Sequence, residues 1–204
     1  MRYNYKIAMV LIFAIMSIST GAAFADDKLK GTYGVAGTQM CLVAPSGIAN
    51  DSKGNPTIAN GNDSVASANN FEGRYTFNGD GTGSISGTFV SILPPAPDSR
   101  NLKAVVGAGT FSYSLTYTPV ANNSFTTIPT PGTYKVTVNY GPSAGRQFAI
   151  DDSFHRVFQL SNDQKYGTVA TTTPGLEHLS WSEGSETKTR VRICYVAGSL
   201  ARLD

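Results

Sequence analysis

Few stretches of this chain carry residue types that do chemistry. The closest to a metal loop is "YTFNGDGTGSISG", Tyr75 to Gly87. A calcium loop of the EF-hand kind needs oxygen ligands at alternate positions, a glycine at the sixth and a bidentate glutamate at the twelfth. Setting Asn78, Asp80 and Gly81 at the third, fifth and sixth positions puts Thr76 first and Gly87 twelfth. Two carboxylates that the ion needs are then missing, and only Asp80 brings charge, so no metal site is expected. Asn-Gly between two alternating runs is instead a hairpin signal, because both residues adopt positive φ cheaply.

"DDSFHR" holds Asp151, Asp152, Ser153 and His155, nominally the parts of a nucleophilic set. A triad is defined by geometry, which one extended stretch does not supply. On a strand Ser153 and His155 share a face and Asp152 points away. A solvated strand start is the expectation, and His178 beside Glu177 has no better partners. No catalytic residue and no cofactor is predicted.

Arg156 shares its strand face with Phe154, Phe158 and Leu160. A guanidinium on an apolar face must meet an anion or reach water. The partner is either a ligand carboxylate or phosphate, or an internal ion pair, or the side chain snorkels to a rim. Tyr113, Tyr117, Tyr134 and Tyr140 alternate onto apolar faces, and Trp181 pairs with Leu179. Such residues either line a cavity or fill a core. The candidate ligand-binding residues are therefore Tyr113, Tyr117, Tyr134, Arg156 and Trp181.

The elements that must position them are strands. In "TFSYSLTYT" Phe111, Tyr113, Leu115 and Tyr117 share one face, with Thr and Ser on the other. "TYKVTVNY" repeats the pattern with Tyr134, Val136, Val138 and Tyr140, and "TRVRICY" sets Val191, Ile193 and Tyr195 against Arg190, Arg192 and Cys194. Period-two alternation marks half-buried antiparallel strands. Turn signals at 78–81, 140–145, 161–163, 173–175 and 182–186 separate them. The reading predicts strands at 30–43, 71–78, 83–92, 105–118, 132–140, 146–151, 153–161, 165–172, 176–182 and 187–197. The long connection 44–70 is either a lid or a disordered loop, and 93–101 is Pro-rich.

Residues 1–25 combine a basic start (Arg2, Lys6), an apolar run from Ile7 to Ser19 and "AFA" before Asp26. That order is a secretory signal with cleavage after Ala25, and the apolar run is short for a spanning helix. Residues 26–204 are then one exported domain, periplasmic or secreted, with no stable membrane insertion. Removing Arg2 and Lys6 takes the formal net charge of +2 to zero. No basic stripe for nucleic acid remains. The two cysteines, Cys41 and Cys194, form a disulfide in an oxidising compartment. The bridge links the first predicted strand to the last.

A meander of strands must hide its edges, and closure pairs first with last. The expected fold is all-β, an antiparallel up-and-down barrel of about eight to ten strands, with a β-sandwich as the alternative. "LKGTYGVAG", Leu29 to Gly37, resembles the G-x-W opening of lipocalins, with Tyr33 in the place of their Trp. The long connection 44–70 resembles their lid loop. A basic residue late in the last strand, Arg190 or Arg192, resembles the arginine that packs on their first-strand aromatic. The resemblance to lipocalin-like or calycin-like barrels implies a small, largely apolar molecule held inside. Two other functions stay open: a non-enzymatic structural or interaction module with a protein or glycan partner, and an isomerase or cyclase relying on cavity shape. An outer-membrane barrel needs a lipid-facing apolar band, which the Thr/Ser-rich faces do not provide.

Overall fold

The computed structural model of the chain describes residues 29–44, 47–53, 56–58, 64–93, 105–152, 155–173 and 175–204. The predicted signal segment 1–25, Ser153, Phe154 and the Pro-rich connection 94–104 lie outside the described residues. All regular structure among them is β, and no helix there is long and apolar enough to cross a membrane.

The described residues form thirteen strands: β1 (Lys30–Val43), β2 (Ile48–Asn50), β3 (Pro56–Ile58), β4 (Val65–Asn78), β5 (Thr82–Leu93), β6 (Val105–Ala121), β7 (Ser124–Pro129), β8 (Tyr134–Tyr140), β9 (Gln147–Asp152), β10 (Arg156–Leu160), β11 (Tyr166–Thr171), β12 (Gly175–Glu183) and β13 (Glu186–Arg202). Pairing closes them into a barrel. At one end the ring runs β1, β4, β5, β6, β7, β10, β11, β13 and back to β1. At the other end β8, β9 and β12 replace β7, β10 and β11. Each ring therefore has eight strands.

The substitution has a simple origin. β7 and β8 both pair with β6, in the same direction, as do β11 and β12 with β13. Each pair follows one strand path in two parts, β7 ending at Pro129 before β8 begins at Tyr134 and β11 ending at Thr171 before β12 begins at Gly175, and β9 and β10 stand in the same relation. The registers Arg156↔Thr127 below and Ile150↔Tyr134 above put the breaks at one height. The cause is visible at 130–133. Pro131 has no N–H for the ladder, and Gly132 takes φ +75°. The Thr133 hydroxyl fills the gap, accepting from the Ser114 N–H at 3.1 Å and donating to the Thr130 carbonyl at 2.7 Å.

The expected barrel is thus the observed one, with the disulfide joining first and last strands. Cys41 and Cys194 face each other directly across β1 and β13, Cα to Cα 4.1 Å. The "NGDG" stretch is the β4–β5 turn: Gly79 and Gly81 have φ +85° and +89°, and the Asp80 carboxylate accepts from the Thr82 N–H at 2.9 Å. Three expectations change. The strand predicted at 71–78 begins at Val65, so the end of the connection 44–70 is sheet. The rest of that connection holds the β2–β3 hairpin, with 45–46, 54–55 and 59–63 outside the described residues. β7 was not expected at all; it follows a two-residue turn in which Asn122 and Asn123 take φ 48° and 59°, the mirror-image turn that suits hairpins. The last strand continues to Arg202.

One end of the barrel is packed. Leu29, Tyr33, Phe77, Tyr117, Phe125, Phe158, Leu160, Val169 and Leu200 are buried there in one cluster. Phe77 meets Tyr117 and Phe158 edge-on at 5.4 and 5.7 Å. Leu29 plugs the floor, its carbonyl accepting from the Tyr117 hydroxyl at 2.6 Å. Each such side chain contributes about 1.5–3 kcal/mol by leaving water. The cation over Tyr33 is Arg202, 5.9 Å from the ring centre. This corrects the expectation of Arg190 or Arg192, whose positions lie well up the strand from Tyr33.

The disulfide closes 153 residues, so the chain-entropy account assigns it up to about 5 kcal/mol. The Cys41→Ser, Cys194→Ser double variant should denature at markedly lower urea and with a larger m-value, because its unfolded chain loses the crosslink and exposes more surface. Equal midpoints would mean that the β1–β13 pairing closes the barrel without help from the bridge.

Candidate functional site

The opposite end of the barrel is hollow. Here the inward positions of β1, β4, β5, β6, β8, β9, β12 and β13 surround a cavity of about 220 Å³. One wall is apolar, built from Phe89, Phe111, Val136, Phe148 and Leu179. Inward glycines let the rings of this region lie close to the sheet. A Cβ at Gly87 would stand 2.8 Å from the Phe111 ring, and one at Gly37 would stand 2.8 Å from the Phe71 ring. Phe71 and Phe111 pack edge to face over β5 at 6.1 Å.

The cavity floor lies at the level of the strand breaks. Tyr134, Arg156 and Glu177 each follow one of the three interruptions within a few residues, and all three are buried. Arg156 is 3% exposed and its guanidinium lies 5.3 Å from the centre of the Tyr113 ring. Tyr113 stands against Tyr134 at 4.6 Å, and the Tyr113 and Tyr75 hydroxyls are 3.3 Å apart. Burial pushes the Tyr75 hydroxyl well above the usual phenol range, and the neighbouring Tyr113 adds to it. Tyr134 is raised too, first by burial and then by the Glu177 carboxylate. Both remain protonated donors at any physiological pH.

A second wall is polar. Asn69 donates to the Gln39 amide oxygen at 3.2 Å, and Gln39 donates to Glu177 Oε1 at 2.6 Å. Arg192 donates to Glu177 Oε2 through Nε at 2.6 Å and Nη2 at 2.5 Å. Glu177 is fully buried, and a buried carboxylate is tolerable only when paired and hydrogen-bonded on both oxygens, as it is here. The Cys41–Cys194 bridge lies beside it. These three residues are the one cluster of potential metal ligands among the described residues, and both sulfurs are spent in the disulfide.

At the mouth, Trp181 packs on Phe148 at 5.4 Å, and the guanidiniums of Arg146 and Arg190 lie 5.6 and 5.8 Å from its ring centre. Arg146 also pairs with Glu183 at 3.0 Å.

Of the residues expected to bind a ligand, Tyr113, Tyr134, Arg156 and Trp181 line this cavity. Tyr117 does not: it lies two inward positions below Tyr113 and is spent in packing the closed end. His155 and His178 are exposed and apart from the lumen, and Ser153 lies outside the described residues. The sequence reading missed Gln39, Asn69, Glu177 and the inward orientation of Arg190 and Arg192. The available signal was the placement of Arg190 and Arg192 on the Cys194 face, since a disulfide tying β1 to β13 inside the wall turns that whole face inward.

Two outcomes follow. Glu177→Ala leaves Arg192 without its counter-ion and Gln39 without its acceptor, and should cost about 3 kcal/mol in urea denaturation, with Glu177→Gln costing less; equal stability of all three proteins would show that the network is not structural. In the unfolded chain Tyr75 and Tyr134 ionise near pH 10, while the folded state holds their protons. Stability should therefore be complete below about pH 10 and fall as pH rises above it, with the phenolate absorbance of these two residues appearing only as the barrel unfolds; their titration within the folded barrel would contradict the burial argument.

No protein-family model and no curated protein matches this chain, so its function must be argued from the barrel itself.

Proposed function

We infer that the protein is an exported, lipocalin-like binding barrel that holds a small, largely apolar molecule in the open half of its lumen. The observation that carries this reading is the unequal filling of one continuous barrel. An eight-stranded barrel is just wide enough either to be filled by side chains or to hold one small ligand, and this one does each in a different half. The hollow half has the composition of a ligand site, mostly apolar and aromatic with a few convergent polar groups. Its volume is below the usual range of about 300–1,000 Å³, which favours a compact ligand. The Tyr33–Arg202 contact at the closed end and the long β1–β4 connection at the open end support the lipocalin-like reading. The buried disulfide fits an oxidising compartment, as export after cleavage at Ala25 would supply.

An interaction module is favoured by one feature of the outer surface. Tyr195, Met40, Ala68, Ile92 and Val106 form one cross-strand row over β13, β1, β4, β5 and β6. The large members of that row are between 40% and 51% exposed. This row and the lumen are separate surfaces, so the two functions do not exclude each other. The lumen contains no arrangement of nucleophile, base and orienting group among the described residues, which leaves the isomerase or cyclase reading without a supporting observation.

Native mass spectrometry of the gently purified protein tests the binding reading. A discrete small-molecule mass should be retained by the wild type and absent from Val136→Phe, which fills the lumen without adding a polar group. Only the apo mass, together with no change in Trp181 fluorescence on addition of 1-octanol, would sink it.

A further inference from the structure

We propose that the ligand is an amphipathic anion, with its acidic group at the mouth against Arg190 and its apolar body inside the barrel. This rests on the binding reading above and adds the ligand's charge and orientation.

The charged side chains that line the cavity among the described residues are all arginines: Arg156, Arg190 and Arg192. They do not stand alike. The inner face of β13 presents Lys188, Arg190 and Arg192 in succession from the rim downward. Lys188 pairs with Glu186, and Arg192 is fully engaged by the buried Glu177. Arg190, between them, has no carboxylate partner among the described residues; its contact is the Trp181 ring. Beside it the indole Nε1–H of Trp181 is buried with no acceptor. An orphaned donor of this kind is costly, and a ligand oxygen would relieve it.

The position decides the orientation. Arg190 is exposed, so an acidic group placed there keeps part of its hydration and avoids the penalty of a fully buried charge. The apolar body below it meets Phe111, Val136, Phe148 and Leu179, which offer it no competing polar contact. A guanidinium lying on an aromatic ring is held in place, and an arginine fork suits the planar, two-oxygen geometry of a carboxylate. A cationic amphiphile would meet Arg190 and Arg146 at the same rim and be repelled.

The test compares octanoate, 1-octanol and octylammonium by titration calorimetry at neutral pH, on the folded wild-type domain and on Arg190→Gln. Octanoate should bind about tenfold more tightly than 1-octanol, the order expected for one charge-assisted contact, and octylammonium should bind most weakly. Arg190→Gln, a change at an exposed rim position that leaves the core untouched, should bring octanoate to within about twofold of 1-octanol, since the charge-assisted contact is gone. Equal binding of octanoate and 1-octanol by the wild type would overturn the anion assignment while leaving the binding barrel standing. A preference for octanoate that survives Arg190→Gln would overturn the assignment to Arg190. Binding of none of the three would remove the proposal together with the reading beneath it.

Discussion

Everything in this molecule depends on the pairing of β1 with β13. Eleven residue pairs, from Tyr33↔Arg202 to Val43↔Arg192, join the two strands, and the Cys41–Cys194 bridge sits near the upper end of that seam. An antiparallel sheet of these strand lengths left open would expose two long edges. Closure removes both edges and creates an inside. Once there is an inside, every alternating strand has one face committed to it, and the identity of the inward residues decides what the lumen can be.

Those residues divide the lumen in two. Below the strand breaks the inward positions are large and apolar, and they meet across the axis. Above the breaks they include rings lying close over glycines, as Phe71 over Gly37 and Phe111 over Gly87, aliphatic side chains such as Val136 and Leu179, and polar groups bound to one another along the wall. The breaks themselves lie at the boundary. They let Tyr134, Arg156 and Glu177 enter the lumen at one height and give the packed half a polar roof. A hydrogen-bonded chain from Asn69 through Gln39 and Glu177 to Arg192 keeps the wall polar without leaving its carboxylate unpaired. The polar wall of the cavity is thus built from groups committed to one another, while Arg190 at the rim has no carboxylate partner among the described residues.

Much of this was legible from alternation. The faces of β6, β8 and β10 read correctly because each carries three or four large side chains at period two, and the two cysteines, in the first and last predicted strands, pointed to closure. The "NGDG" corner read correctly once its ligands were counted. What escaped the sequence had particular causes. "VASANN", the first half of β4, is made of small and polar residues and looks like loop, because its inward Ser67 and Asn69 belong to the polar wall. "SFTTIP", which becomes β7, is short and is followed by Pro131, and its Asn-Asn turn is weaker as a signal than Asn-Gly. On β13 the inward face carries Arg190 and Arg192, and the outward face carries Val191, Ile193 and Tyr195. Hydrophobicity alone assigns that strand backwards. Only the non-local partner Glu177 and the disulfide make the charged face the inner one. Tyr117 failed as a candidate for a related reason: alternation identifies a face but not the height along the barrel axis.

The account stands on the claim that the upper lumen is an accessible binding space, and diffraction from crystals soaked in 8-bromo-1-octanol tests it most directly. The account predicts an anomalous bromine peak inside the barrel between the Phe71–Phe111 wall and Trp181, above the Arg156 floor. An empty lumen whose aromatic side chains have closed across the axis, with bromine only on the outer surface, would contradict it.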